Sequence, residues 1–368
     1  MTALLAVAAL LLLVQTVVLL ANVAYWRHRR PDPPAQGLRL SVLIPVRNER
    51  DNLPTILAAL AAQQPAPWEV LVCDDASDDG TDDWLEAHAA QFGAQWFRAP
   101  GKPEGWVGKC WACHQLGLRA TGDWMLFLDA DVTPGPGFLA EMMSMMAGTD
   151  AVLITALPRF APTSAGDGML TAMVPFSVFS LLPLARAEND RREAFAFANG
   201  QVIGFRVDEY RQHRPHEQVR DTLLEDVALA RWAKRLGRGV LIADATRTLS
   251  VRMYRGLADA LRGFGRTGVP ICGGVTGAIV VVVLLALAYL VPWAAAATGD
   301  WFGLILGLQG AGLYGFCAAR FGLGWWYALL TPPAVTLTLL ALARSILWHR
   351  RGRVPWRGRT YEGLGSRR

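Results

Sequence analysis

The chain has 368 residues, 52% of them hydrophobic and 18% charged, and its mean hydropathy of +0.25 exceeds that of ordinary soluble domains, which argues for membrane. A formal net charge of +5 does not call for nucleic acid, because much of the surplus arginine flanks apolar segments or sits in the C-terminal tail, where anionic headgroups can pair with it. Five cysteines are too few for a disulfide framework, and a cytoplasmic domain would keep them reduced.

Residues 1–26 form the first predicted element. Residues 2–26 carry no charge, and at about 1.5 Å per residue they can cross a hydrocarbon core of about 30 Å. The positive charges Arg27, Arg29 and Arg30 follow the apolar run instead of preceding it, so the segment reads as a signal anchor with the chain beyond it in the cytoplasm. A basic, proline-bearing linker occupies 27–37, and a soluble-type domain is expected over 38–270. Within it, LRLSVLIPV (38–46), which ends in Pro, and WEVLVCDDAS (68–77) and WMLFLDADV (124–132), which end in carboxylates, read as strands. Helical patterns lie between them. Such alternation predicts an α/β domain with a mostly parallel sheet, whose ligands gather beyond the carboxyl ends of the strands. Asp74, Asp75, Asp129 and Asp131 would then share one edge.

Apolar runs return at 274–297, 301–319 and 325–348, with tryptophans at 293, 301, 325, 326 and 348 suited to interfacial belts. They predict a C-terminal membrane region of two to three helices over 271–348, then a basic tail, 349–368. Three crossings would carry that tail outside, whereas its charge favours the cytoplasm. Either the Gly-rich segment 301–330 is re-entrant or interfacial, or the tail defies the charge rule. Residues 168–185 are apolar but broken by Pro175 and Pro183, which suits an interfacial element or a buried hairpin better than a span. Cys110 and Cys113 make a CxxC with no second pair nearby, and are expected as small apolar groups on a helix beginning near Lys109. RQHRPHEQ, with His213 and His216, is expected to be a solvated loop.

Two carboxylates one residue apart, Asp129 and Asp131, close an apolar strand where an uncompensated charge would be costly. Helix capping is one explanation. A divalent cation holding a diphosphate is another. Glu225 and Asp226 open the amphipathic run VALARWAKRLG, where they read as acids at a helix N-terminus.

The motifs SVLIPVRNERDNLPTIL, VLVCDDASDDGT, GWVGKCWA, GDWMLFLDADVTPGPGFL and LLEDVALARWAKRLG occur in an order that resembles family 2 glycosyltransferases, over roughly 38–270. The resemblance implies a GT-A fold and an inverting, metal-dependent hexosyl transfer. With its leading anchor, trailing membrane region and VPWRGRTY ending, the chain looks most like the membrane-bound subgroup associated with carotenoid and hopanoid glycosylation. By the same resemblance Pro45, Asn48 and Glu49 would line the base and ribose, Asp75 and Asp74 would hydrogen-bond the uracil of UDP, and Lys109 would lie near the nucleotide sugar. Asp131 would ligate Mg2+ or Mn2+, with Asp129 doing so directly or through the sugar. Asp226 would be the base, with Glu225 as its substitute, and Asn199, Gly200 and Gln201 would face the acceptor. Asp78, Asp79, Asp82 and Asp83 read as helix-start acids. The chain departs from the family pattern where it has Cys113-His114-Gln115-Leu116-Gly117 in place of an Asn-x-Gly. It also lacks the Gln-x-x-Arg-Trp of processive synthases. Arg262 or Arg266 could serve the diphosphate instead, or form a basic collar before the membrane.

The expected partners are a nucleotide-sugar donor, a lipid acceptor and the cytoplasmic membrane, with no nucleic acid. The rival readings are a polyprenyl-phosphate or diacylglycerol glycosyltransferase, and a non-catalytic nucleotide-sugar-binding or transport partner.

Overall fold

The structure is a computed structural model that describes residues 1–27 and 37–351, together with the backbone of two short strands at 353–356 and 359–362. Most of the predicted linker, 27–37, and residues 352, 357–358 and 363–368 of the basic tail, 349–368, therefore lie outside the described residues. The described chain forms two compact units. One gathers 37–159 and 185–251, the other 1–27, 160–184 and 252 onward. Within the domain expected over 38–270, residues 160–184, which include most of the possible interfacial element 168–185, and the stretch after 251 group with the apolar helices.

Along the chain, α1 (Thr2–Arg27) precedes β1 (Leu40–Val46), α2 (Leu53–Ala61), β2 (Glu69–Asp74), α3 (Thr81–His88), β3 (Ala94–Arg98), α4 (Gly108–Arg119) and β4 (Trp124–Leu128). Next come β5 (Val132–Pro134), α5 (Phe138–Ala147), β6 (Leu153–Phe160), and the short helices α6 (Ala165–Thr171), α7 (Met173–Leu181) and α8 (Leu184–Asn189). The sheet unit closes with β7 (Val202–Arg206), α9 (Val207–His213), α10 (Pro215–Gln218), α11 (Glu225–Arg235) and β8 (Val240–Val251). The apolar unit continues with α12 (Leu257–Ile271), α13 (Val275–Tyr289), α14 (Val291–Ala297), α15 (Trp301–Arg320) and α16 (Thr331–Arg350), followed by the antiparallel pair β9 (Arg353–Trp356) and β10 (Arg359–Glu362).

The main sheet runs β3-β2-β1-β4-β7-β6-β8-β5. On one side β1 pairs in parallel with both β2 and β4, and β2 with β3. On the other, β7 lies antiparallel to β4 and β6. β4 is buried along its whole length, as its unbroken WMLFL predicts for a strand covered on both faces. That burial fixes the backbone from which Asp129 and Asp131 emerge. α11 opens with Glu225 and Asp226 and closes with Lys234 and Arg235, a distribution that complements its macrodipole.

RQHRPHEQ is not a solvated loop. It forms the end of α9 and the whole of α10, and His216 is only 1% exposed. Its ring lies against Phe127 and its Nδ1 pairs with the Tyr210 hydroxyl at 2.8 Å. Burial pushes its pKa down to about 3. The local polar composition misled because the ring is sequestered by residues distant in sequence.

In the apolar unit, four helical stretches among the described residues are long and apolar enough to cross a membrane: Thr2–Arg27, Val275–Ala297, Trp301–Arg320 and Trp325–Arg350. The segment expected to be an interfacial element or a buried hairpin, 168–185, falls in α6, α7 and the start of α8. A capping box between Ser164 and Asp167 starts α6, satisfying backbone donors that would otherwise be orphaned.

Candidate active site

Four segments bring charged groups together beyond the end of β4. Asp129 follows the strand directly, and its N–H donates to Gln201 O at 3.1 Å. Lys109 stands in the first turn of α4. Its Nζ lies 2.8 Å from Asp129 Oδ1 and 2.8 Å from Glu225 Oε1, and it also donates to Gly200 O at 3.2 Å. Burial works against the lysine's charge, but the two carboxylates outweigh it and carry the pKa well above its usual value, so the ammonium is permanent.

Asp226 is handled differently. Its Oδ2 accepts from Gly200 N–H at 3.0 Å and its Oδ1 from Val227 N–H at 2.8 Å. Burial, and then the Glu225 charge, push its pKa up to about 7, against the pull of Lys109 and the two N–H donors. A carboxylate poised there can exchange a proton near neutrality. Gly200 therefore joins the two charged groups through both of its backbone atoms. A Cβ at this position would come to 3.2 Å from Asp226 Oδ2, so its small size permits the close approach. No motif reading singled out that role.

The flanking residues of Gly200 have structural partners. Asn199 donates its side-chain amide to Ala156 O at 2.8 Å, and its N–H to Thr155 Oγ1 at 2.8 Å. Gln201 is buried. Cys110 and Cys113 are buried free thiols in α4, with Cys110 Sγ 3.6 Å from Val219 O.

The ends of β1 and β2 meet at a second place. In the parallel register Pro45 lies opposite Cys73, and Val46 opposite Asp74. Asp74 is fully buried; its carboxylate accepts from the Ser77 hydroxyl and N–H, and burial raises its pKa. Asn48 and Asp78 exchange two hydrogen bonds, 2.7 Å from Asn48 Nδ2 to Asp78 Oδ1 and 2.9 Å from Asp78 N to Asn48 Oδ1. Arg47 donates to the carbonyls of Asp75 and Ala76, and Glu49 accepts from Asn52 at 2.6 Å. Asn48 and Ala76 both adopt positive φ, 56° and 54°, a conformation of uncommon cost that clusters at functional sites. Asp78 and Asp79 thus lie ahead of α3 instead of in its first turn. Asp79 accepts from Thr81, while Asp82 pairs with Arg98.

Arg262 and Arg266 lie on α12, in the apolar unit, and Arg262 pairs with Asp259 at 3.4 Å.

Among the described residues, no group of three or more His, Cys, Asp or Glu side chains converges as a metal cage. A Mg2+ or Mn2+ that carries a substrate diphosphate needs only one or two carboxylates. Asp129 and Asp131, half-buried oxygen donors at one strand end, fit that arrangement.

Residues 41–210 match the family described as Glycosyl transferase family 2. A 4,4'-diaponeurosporenoate glycosyltransferase from Staphylococcus haemolyticus is 26% identical over 222 residues, covering 58% of this chain and 56% of the relative. An undecaprenyl-phosphate mannosyltransferase from Micrococcus luteus is 32% identical over 116 residues, covering 32% of this chain and 47% of the relative. The chain thus spans about half the length of these curated relatives. Among solved structures, the mannosyltransferase PcManGT from Pyrobaculum calidifontis, in complex with GDP-Man and Mn2+, is similar over 94% of this chain and 99% of its own, at a TM-score of 0.54 and 20% identity. Sheet order, strand-end acids and family match agree: residues 41–210 carry the signature of glycosyl transferase family 2, on a GT-A fold.

Proposed function

We propose that this protein is an inverting glycosyltransferase of the membrane. It moves a hexose from a nucleoside diphosphate sugar, with UDP as the expected nucleotide, to a lipid-soluble acceptor such as a carotenoid or hopanoid at the cytoplasmic face. The observation that carries the reading is Asp226, held by Gly200 N–H beside the Lys109–Glu225 ion pair with its pKa raised to about 7.

In the proposed reaction the acceptor oxygen forms a bond to C1 of the sugar while the bond from C1 to the diphosphate oxygen breaks. The acceptor's proton passes to Asp226, and the nucleoside diphosphate leaves. Lys109 holds Asp129 and Glu225 in place and keeps three acids from repelling one another at one edge. Asp131, with Asp129, would hold the divalent cation, which when bound supplies Lewis-acid relief of charge on the diphosphate. Asn48, Glu49, Asp75 and Pro45 would cradle the nucleotide at the paired ends of β1 and β2. Asn199 and Gln201 would fix the Gly200 turn that faces the acceptor.

A second reading, mannosyl transfer from a GDP sugar to a polyprenyl phosphate, is favoured by the similarity to the Micrococcus enzyme and by the donor bound in PcManGT. An acceptor phosphate is already ionised and needs no base. The test is purified protein with Mn2+, UDP-glucose or GDP-mannose, and a lipid extract, followed by nucleoside diphosphate release and the mass of the lipid product. Wild type should glycosylate a lipid and Asp226→Asn should not. A fully active Asp226→Asn would favour the phosphate acceptor, and no release with any lipid would indicate a binding protein.

A further inference from the structure

The last apolar stretch, Trp325–Arg350, is long and apolar enough to cross a membrane. If it crossed along with α1, α13–α14 and α15, the basic end of the chain would emerge on the face opposite Arg27. Contacts inside the apolar unit argue otherwise.

α1 and α15 run side by side in the same sense. Gln309 Nε2 donates to Thr16 Oγ1 at 3.0 Å, and towards their ends the rings of Trp26 and Phe321 lie 6.2 Å apart. α14 and the end of α13 return antiparallel along α15, so that a Cβ on Gly303 would meet Ala295 and one on Gly310 would meet Tyr289. Residues 298–300 therefore mark one end of the bundle, and Trp26 and Phe321 the other.

Both ends of α16 belong to this second end. The turn before it, Trp325–Leu330, folds back on the last turns of α15, placing Ala328 2.6 Å from a Cβ built on Gly315. Six residues of helix between Gly315 and Phe321 are only about 9 Å of depth. The far half of α16 lies antiparallel on α12. Leu342 and Ser345 face Gly268, Arg344 and Trp348 face Gly265, and Val269 N–H donates to Ser345 Oγ at 2.9 Å. The start of α12 is tied to the same level. Leu257 sits at Gly166, and Tyr327, in the turn before α16, sits at Gly168. Just before α6, Phe160 N–H donates to Phe321 O at 2.8 Å. A helix of about 30 Å that begins and ends at one level has spent its length along the surface.

Charge and exposure agree. Arg27, Arg262, Arg266, Arg320, Arg344, Arg350 and Arg351 all lie at this end, whereas residues 1–5 and 295–303 contain no lysine or arginine. Leu340 and Leu347 stand 58% and 54% exposed on the open face of α16, and the Arg344 guanidinium stacks on Trp348 at 4.4 Å. An apolar face edged by arginine and tryptophan suits the boundary between acyl chains and anionic headgroups.

We infer that α16 does not cross the membrane but lies with α12 along its inner surface, against anionic headgroups, leaving the C-terminal end of the chain on the face of Arg27. This rests on the proposed membrane setting and not on the proposed chemistry.

The test uses the full chain with its five cysteines replaced and single cysteines introduced by Thr298→Cys, Leu340→Cys, Leu347→Cys or Arg351→Cys. In sealed spheroplasts a membrane-impermeant maleimide should label Thr298→Cys and reach Arg351→Cys only after lysis. Spin labels at 340 and 347 should report equal depths, where a crossing helix would separate them by about 10 Å. Labelling of Arg351→Cys from outside, unequal depths, or protection of Thr298→Cys would each overturn the inference. Should the cysteine-free chain fail to insert, C-terminal reporter fusions to the unaltered chain decide: a fluorescent protein that fluoresces supports it, and an active alkaline phosphatase overturns it. Nucleotide-sugar turnover is read separately, so failure of the chemistry cannot be mistaken for failure of the topology.

Discussion

β2 and β4 end alike in sequence, each an apolar run closed by acids, yet the two ends are built differently. Asp74, at the end of β2, is fully buried, and its carboxylate is occupied by Ser77. Asp129, after β4, is half-exposed and held by a lysine that also grips Glu225. One end shapes a loop; the other assembles charge. A pair of acids at a strand end is therefore not a site until its partners are known, and here those partners arrive from α4, α11 and the Gly200 turn.

The largest expected effect lies at the second end. Asp131→Ala should lower metal-dependent transfer by about 10³-fold in the nucleotide-release assay while circular dichroism and membrane insertion stay unchanged. Retained activity would remove the proposed metal seat and erase the contrast with β2. Asp226→Asn should cost about 10²- to 10⁴-fold in kcat for a hydroxyl acceptor, the range for loss of a positioned base.

The same carboxyl gives a pH signature. Its raised pKa keeps it protonated below about 7, so it can accept a proton only above that value. The kcat/KM profile should rise through about pH 7. Glu225→Gln removes the neighbouring negative charge that helps raise the pKa and should move the limb to lower pH. A limb unmoved by that substitution would show that another group titrates.

How much of this was legible in sequence depended on distance along the chain. The strands at 38–46, 68–77 and 124–132, and the acids that end the latter two, follow from local pattern, because burial on both faces demands an unbroken apolar run. The ion pair between Lys109 and Glu225 does not, since only the sheet order brings α4 and α11 to one edge. Asn199-Gly200 is legible as a turn, but the close approach of Gly200 to Asp226 is not, because that carboxylate lies 26 residues further along the chain. The long strand β8 was missed altogether: its ADATRT stretch is polar at the positions that half-face solvent. His216 shows the opposite error, a polar residue drawn into the core by Phe127 and Tyr210. In the apolar unit, hydropathy identified α16 as a segment able to span, whereas its proposed place along the surface rests on contacts with Gly265, Gly268 and Gly315 that composition cannot encode.

Lys109→Met should act on both stability and activity. Without the ammonium, Asp129 and Glu225 face one another at the site with no cation between them. Because these groups are partly open to solvent, the loss should be about 1–3 kcal/mol, read as a lower midpoint in urea, together with weaker donor binding. An unchanged midpoint would mean that water replaces the lysine, and that the second strand end is no more dependent on charge than the first.

The smallest effect tests β2 itself. Asp74→Asn keeps the shape and one acceptor oxygen but weakens the bonds from Ser77, for which a loss of about 1 kcal/mol is expected, with kcat unaltered. Ser77→Ala should produce a similar loss, and the double variant should cost less than the sum, because both remove one contact. If instead Asp74→Asn left the urea midpoint in place and weakened nucleotide binding, Asp74 would have to turn away from Ser77 to reach the base. The two strand ends would then both belong to the substrate, and the division between loop-building and charge-gathering acids would no longer fall between β2 and β4.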